Sequence, residues 1–239
     1  MMYRWEPDMI RYMRDASEHS RYNRELVTQM LPWLEKDTHI CDAGCGLGYL
    51  SMTLAEHVGH VTAVDINADA LRNLEEKALS NVTILCGDIA VLPPTRPYDA
   101  MVFCFFGGIE EILRIAKEQC GGSVFVVSRN YTAHRFSVGK YPTGSYGFSR
   151  AKVVLNEKGI PFTEKTLQLE FGQPFRSLED ARRFFELYSR DGNKQLITDE
   201  FLREKLVEQP GDFPWYLPNL RKVGFLRLEA EKIRKESLA

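Results

Sequence analysis

"HICDAGCGLGYL", residues 39–50, decides the fold of this chain. A short apolar run ends in Asp42, and glycines follow at alternate positions, Gly44, Gly46 and Gly48. The run is too short for a buried helix and enters a turn directly, so it predicts a strand. "LGYLSMTLAEHV" (47–58) then carries helical spacing and ends before Gly59. The glycines therefore sit at the first turn between strand and helix. In doubly wound sheets that turn lies beyond the carboxyl ends of the strands, where ligands bind. Glycine there permits tight turning and a close approach of ligand to backbone.

The alternation continues outward from this stretch. Strands are predicted over 60–66, 81–88, 98–106 and 122–130, and helices over 67–79 (Asn67 as cap) and 108–119. "YDAMVFCFF" is almost continuously apolar, as a strand covered on both faces must be. This rhythm predicts a parallel, doubly wound, Rossmann-like α/β sheet. Upstream, Leu26, Val27, Met30, Leu31 and Leu34 extend a helical pattern over 8–31 that Pro32 ends. Downstream, a helix over 149–159 and a strand over 164–172 precede two capped helices, 177–191 (Ser177) and 198–209 (Thr198). A turn-rich aromatic segment (211–219) and a closing strand (222–233) follow. The domain reading is an N-terminal helical segment (1–35) packed on a core domain (36–239), with a helical insertion, 177–219, before the last strand.

The composition bounds the function. The chain has 239 residues, 44% hydrophobic and 27% charged, enough to bury a core without covalent staples. A net charge of −2 gives no global basic field toward nucleic acid. Five cysteines at irregular spacing suit reduced thiols and small buried side chains. No CxxC or HExxH occurs, so no metal is expected. "MMYRWEPDMIRYMRD" does not read as a signal peptide, and no apolar run reaches the ~20 residues of a membrane span. The expected location is cytoplasmic.

Two ligands compete for the glycine turn. A nicotinamide dinucleotide wants G-x-G-x-x-G, but Tyr49 stands three residues after Gly46 and the spacing is G-x-G-x-G. S-adenosylmethionine carries an ammonium, a ribose diol and an adenine amino group, all donors to carboxylates. Asp42, Asp65 and Asp88 fall at three successive strand ends. They could take the methionine end, the ribose hydroxyls and the adenine amino group in turn, with Ile66 and Ile89 against the adenine faces. Asp42 is a poor neighbour for a pyrophosphate and a good one for a cationic cofactor. Each aspartate read alone is equally a turn or helix cap.

At this point the chain resembles the class I S-adenosylmethionine-dependent methyltransferases. "ICDAGCGLG" (40–48) is similar to the family's glycine motif, "VTAVDI" (61–66) to its acidic strand-two motif and "ILCGDIAVLP" (84–93) to its third. "YDAMVFCF" (98–105) and "GGSVFVVSRN" (121–130) resemble strands four and five, so the likeness covers about residues 36–130 in order. It implies a seven-stranded sheet whose last strand is antiparallel. The candidate cofactor-binding set is Asp42, Gly44, Cys45, Gly46, Gly48, Asp65, Ile66, Asp88, Ile89 and Phe103.

The expected reaction is methyl transfer by in-line displacement, with alignment as the protein's main task. His134, just beyond strand five, is the candidate general base, although a loop histidine in a structural hydrogen bond is the favoured reading of it. Cys104, in "FCFF" without an activating charge, reads as a structural thiol. "FFGG" stands where amino-directed nucleic-acid methyltransferases carry a polar-Pro-Pro-aromatic motif. The expected partner is therefore a small organic acceptor, covered by the 177–219 insertion and an N-terminal helix bearing Trp5, Tyr12 and Tyr22. An RNA or protein methyltransferase, a nicotinamide-dependent oxidoreductase and a non-catalytic cofactor binder remain as alternatives.

Overall fold

The computed structural model describes residues 6–92, 94, 96–131, 136, 138, 147–189 and 191–235. Its central sheet has seven strands: β1 (His39–Ala43), β2 (His60–Asp65), β3 (Val82–Cys86), β4 (Tyr98–Cys104), β5 (Cys120–Arg129), β6 (Phe162–Glu170) and the chain's last strand, Leu220–Glu229. Three short strands, β7 (Gln173–Phe175), β8 (Val207–Glu208) and β9 (Trp215–Leu217), form a second sheet in the order β7-β9-β8, so the last strand is β10. The large sheet runs β3-β2-β1-β4-β5-β10-β6. Its first five members are parallel, and β10 pairs antiparallel with β5 on one side and β6 on the other. The expected antiparallel last strand is present, wedged inside the sheet rather than at its edge.

Period-two alternation sorts the strand residues onto two covered faces. Ile40, Val61, Val102, Phe125, Val127 and Phe225 lie under Leu26, Val27 and Met30 of α2 (Tyr22–Thr28) and its extension, and under Leu50 and Leu54 of α3 (Tyr49–Ala55). Cys41, Ala43, Met101, Phe103, Val124 and Val126 face the opposite side. There they meet α5 (Ile109–Gln119), α6 (Phe148–Glu157) and α9 (Ala230–Lys235). Helix α4 (Ala68–Glu75) bridges β2 and β3, capped by the Asn67 side chain on the Ala70 N–H, as the sequence predicts.

The predicted helix over 8–31 is two helices, α1 (Pro7–His19) and α2, separated at Ser20, whose backbone is extended. The reason lies in what each buries. Tyr12 of α1 belongs to a third apolar cluster with Phe175, Phe184 and Leu202, while Ala16 of α1 joins α2 against the sheet. That third cluster is the core of the insertion: α7 (Leu178–Tyr188), α8 (Asp199–Lys205) and the small sheet. The predicted helix over 198–209 stops at Lys205, because Leu206 is extended and leads into β8. The predicted strand over 222–233 ends at Glu229, and Ile233 packs into the core as part of α9. β7, β8 and β9 are too short to leave a periodic signal, and the sequence does not reveal them.

Two side-chain systems tie α1 to the insertion. Asp180 accepts from Arg11 (2.8 Å) and from the Tyr12 hydroxyl (3.0 Å), and its other oxygen takes the Arg176 N–H (3.1 Å). Arg176 in turn pairs with the buried Asp15 (Nη2–Oδ1 2.9 Å). The insertion leaves the large sheet after the carboxyl end of β6 and returns at the start of β10. It therefore hangs on the sheet edge that carries the glycine turn.

Candidate active site

The glycine turn is built as its sequence demands. Gly44, Gly46 and Gly48 all have positive φ (+75°, +54° and +77°), a region costly for any residue with a Cβ. Space forbids a side chain as well. A Cβ on Gly44 would lie 2.6 Å from the Phe106 ring, and one on Gly48 would lie 2.7 Å from Leu74. The turn is anchored on β2: the Gly44 and Cys45 N–H groups donate to the Val64 carbonyl (2.8 and 3.0 Å), and the Gly46 N–H donates to Asp65 Oδ2 (2.8 Å).

Asp65 ends β2 and its other oxygen accepts the Asn67 N–H at 2.9 Å. Two of its roughly four acceptor positions are thus used in shaping the turn, and the remainder is free for hydroxyl donors. On the neighbouring strand, in register with Ala63 and so two residues short of Asp65, Asp42 lies near the end of β1 with only 1% of its surface exposed. Its described hydrogen-bond donor is Ser51 of α3, at 2.6 Å. Burial, with the charge of Asp65 added, raises its pKa to about 7 against the pull of the Ser51 hydrogen bond. Among the described residues no cation pairs with this carboxylate.

The remaining predicted residues divide. Asp88 is exposed and caps the Ala90 N–H (2.9 Å), and Ile66 is 49% exposed beside it on the sheet edge. Ile89 and Phe103 are buried in the core, Phe103 completely and against Phe106. Cys45 is partly buried, and burial first, then the charges of Asp42 and Asp65, keep its thiol protonated. The structure thus gathers Asp42, Gly44, Cys45, Gly46, Gly48 and Asp65 into one hydrogen-bonded turn, with Ile66 and Asp88 farther along the edge. His134 and Trp5 lie outside the described residues. Cys104 is a free thiol pushed well up by burial, an environment that suppresses nucleophilicity.

Sequence reasoning missed Ser51, Phe106 and Arg221. Ser51 is the polar residue on the buried face of α3, which was its available signal. Phe106 follows Phe105, an aromatic residue held at φ +55°, in a strained turn beyond β4. Arg221 gives no sequence signal, because only the antiparallel insertion of β10 brings its start to this edge.

Residues 40–120 match a family model described as a methyltransferase domain. A ubiquinone biosynthesis O-methyltransferase of Coxiella burnetii is 29% identical over 115 residues, 43% of this chain and 49% of that protein. A probable cobalt-precorrin-6B C(15)-methyltransferase (decarboxylating) of Methanothermobacter thermautotrophicus is 36% identical over 96 residues, 36% of this chain and 50% of that protein. The chain thus spans about half the length of these curated relatives. Among solved structures, the YcgJ protein of Bacillus subtilis superposes with a TM-score of 0.56 at 13% identity, covering 87% of this chain and 98% of that one, a likeness of fold. The fold and the turn are those of a Rossmann-like α/β domain. The likeness to the methyltransferase-domain model covers residues 40–120 of this chain.

Proposed function

We propose that the protein is an S-adenosylmethionine-dependent methyltransferase acting on a small organic molecule. The observation that carries the cofactor half is Asp42, a buried carboxylate beside a glycine cradle, paired with a hydroxyl and, among the described residues, with no cation. A pyrophosphate at this turn would face Asp42 and Asp65 together, and like charges repel. A ligand with an ammonium and a sulfonium relieves both. When bound, S-adenosylmethionine supplies a methyl group on a sulfonium, whose carbon–sulfur bond pair stays on sulfur as the acceptor's bond to carbon forms.

The chain's own residues do the rest by position. Asp42 holds the methionine ammonium, directly or through water, and Asp65 offers its free lone pairs to the ribose hydroxyls. Asp88 and Ile66, both exposed beyond the ends of β3 and β2, would meet the adenine. The glycines let the ligand lie against the backbone. Phe106, pressed on Gly44, closes the turn from below. His134 remains the candidate base for an acceptor that must lose a proton.

The insertion 177–219 and α1 act as one cover over the acceptor end of this edge. Phe184 and Phe185 are 1% and 2% exposed, so these aromatics stiffen the cover rather than line a pocket. The small-molecule reading is supported by the net charge of −2 and by relatives named for small-molecule substrates. It is tested by incubating the protein with methyl-labelled S-adenosylmethionine and, separately, a small-molecule extract, bulk RNA and bulk protein. Label is expected in the small-molecule fraction. Transfer confined to RNA or protein would overturn that half of the reading.

A further inference from the structure

β10 enters the sheet antiparallel, so Arg221 at its start stands on the same edge as the glycine turn. From β1 to β10 is three strand spacings, about 14 Å, the span of a small organic molecule. The Arg221 guanidinium lies 4.4 Å from the Phe171 ring centre, 5.7 Å from that of Tyr22 and 5.8 Å from that of Phe105. Among the described residues no carboxylate pairs with it. Glu170, next to Phe171 in sequence, is taken by the Tyr216 hydroxyl (2.7 Å) and the Asn219 N–H (2.9 Å). The sequence leaving β5 at this edge, 130–147, contains Arg135 and Lys140 and no Asp or Glu.

Tyr22 supplies the second observation. It is 4% exposed, its ring packs against Phe171 (4.9 Å between centres), and its hydroxyl makes no hydrogen bond. Buried hydroxyls without partners are uncommon and costly, and each asks for an explanation. The guanidinium lies beside this buried hydroxyl and favours its ionised form, although no hydrogen bond of ordinary geometry joins the two. Cys104, at the end of β4, stands between β1 and β10 in the sheet order. A part-buried guanidinium lying on aromatic rings, with no acid of its own, is arranged for a planar anion held by two parallel hydrogen bonds.

We infer that Arg221 and the Tyr22 hydroxyl form an anion-recognition end of the acceptor site, and that the acceptor is a small aromatic carboxylate lying against the exposed Phe105 ring. The carboxylate is the anchor and the methylated atom lies at the acceptor's other end, toward Asp42. There the new bond to the methyl carbon forms as the carbon–sulfur bond breaks, the pair stays on sulfur, and any proton on the acceptor atom goes to water. This rests on the methyltransferase reading for its direction, but not for the anion site itself.

The test uses the full chain with S-adenosylhomocysteine present. Benzoate, 2-naphthoate and indole-3-carboxylate, each beside its neutral amide, are titrated by ligand-observed NMR against wild type, Arg221→Gln, Arg221→Lys and Tyr22→Phe. At least one carboxylate is expected to bind wild type tenfold or more tightly than its amide. Arg221→Gln should abolish that preference, Arg221→Lys should keep part of it, and Tyr22→Phe should weaken the carboxylate severalfold. S-adenosylhomocysteine affinity, unchanged in Arg221→Gln, shows that this variant is folded. Equal binding of acids and amides, no binding of any acid, or a preference surviving in Arg221→Gln overturns the inference and leaves the methyltransferase reading standing. Carboxylate binding through Arg221 without S-adenosylhomocysteine binding would instead remove the methyltransferase reading, and with it the acceptor role.

Discussion

Replacing Asp42 by Asn should make the protein more stable and a poorer cofactor binder at once. The carboxylate is 1% exposed, and burial raises its pKa from 3.8 to about 7. Between those values the folded protein keeps a proton that the unfolded chain has shed. Stability from this group is therefore full below pH 3.8, falls as pH rises through that window, and is flat above about 7. The accumulated cost is roughly 4 kcal/mol at pH 8 and roughly 1–2 kcal/mol at pH 5. Asparagine has no such cost, and its amide oxygen can still accept from Ser51. Urea melts of wild type and Asp42→Asn at pH 5, 6, 7 and 8 should show a gap in favour of the variant that widens by roughly 2–3 kcal/mol over the series. Calorimetry at pH 8 should show S-adenosylhomocysteine bound at least about tenfold more weakly by the variant, as for a lost hydrogen bond to a charged group. A gap that does not change with pH would refute the buried-charge argument. An unchanged affinity would refute the role of Asp42 at the ammonium.

Other perturbations follow from the same geometry. Gly48→Ala places a Cβ within 2.9 Å of three Leu74 atoms at φ +77°; a loss of roughly 2–5 kcal/mol is expected in urea melts, and a loss under about 1 kcal/mol would mean the turn is looser than described. Tyr22→Phe removes a hydroxyl without a partner, so stability should hold or rise by up to about 1 kcal/mol; a clear loss would mean the hydroxyl is bonded. Asp180 has its pKa lowered: burial pushes it up, but hydrogen bonds from Arg11, the Arg176 N–H and Tyr12 win. Its contribution is present above the ordinary carboxylate value and lost as pH falls through the lowered one. Asp180→Ala should release α1 from the insertion, read as faster amide exchange across 7–19 and 178–188; unchanged exchange would show that the latch carries little.

Much of this was legible before the structure. The strand–turn–helix at 39–55, the aspartates at strand ends and the apolar runs of β4 and β5 are local signals, and local signals survive in sequence. The caps at Asn67, Ser177 and Thr198 are each made by the side chain expected. What failed depended on distant partners. The break at Ser20 follows from Tyr12 packing in a second core while α2 packs on the sheet, and the three-stranded sheet follows from a tertiary arrangement that strands of two or three residues cannot announce. Arg221 and Tyr22 are 199 positions apart in the chain, and only the wedging of β10 between β5 and β6 brings them to one space. Ile89 and Phe103 show the converse: both are named as cofactor residues from their place in the sequence, and both side chains are buried in the core.

The most direct measurement is calorimetric titration of the full chain with S-adenosylhomocysteine and, separately, with NADH, repeated on Asp65→Ala. The account predicts that S-adenosylhomocysteine binds and NADH does not, and that Asp65→Ala weakens binding by at least about 1.5 kcal/mol, because hydroxyl acceptors and the anchor of the Gly46 N–H are lost together. Binding of NADH in place of S-adenosylhomocysteine would contradict it, and would mean that the carboxylates at the strand ends had been assigned to the wrong ligand.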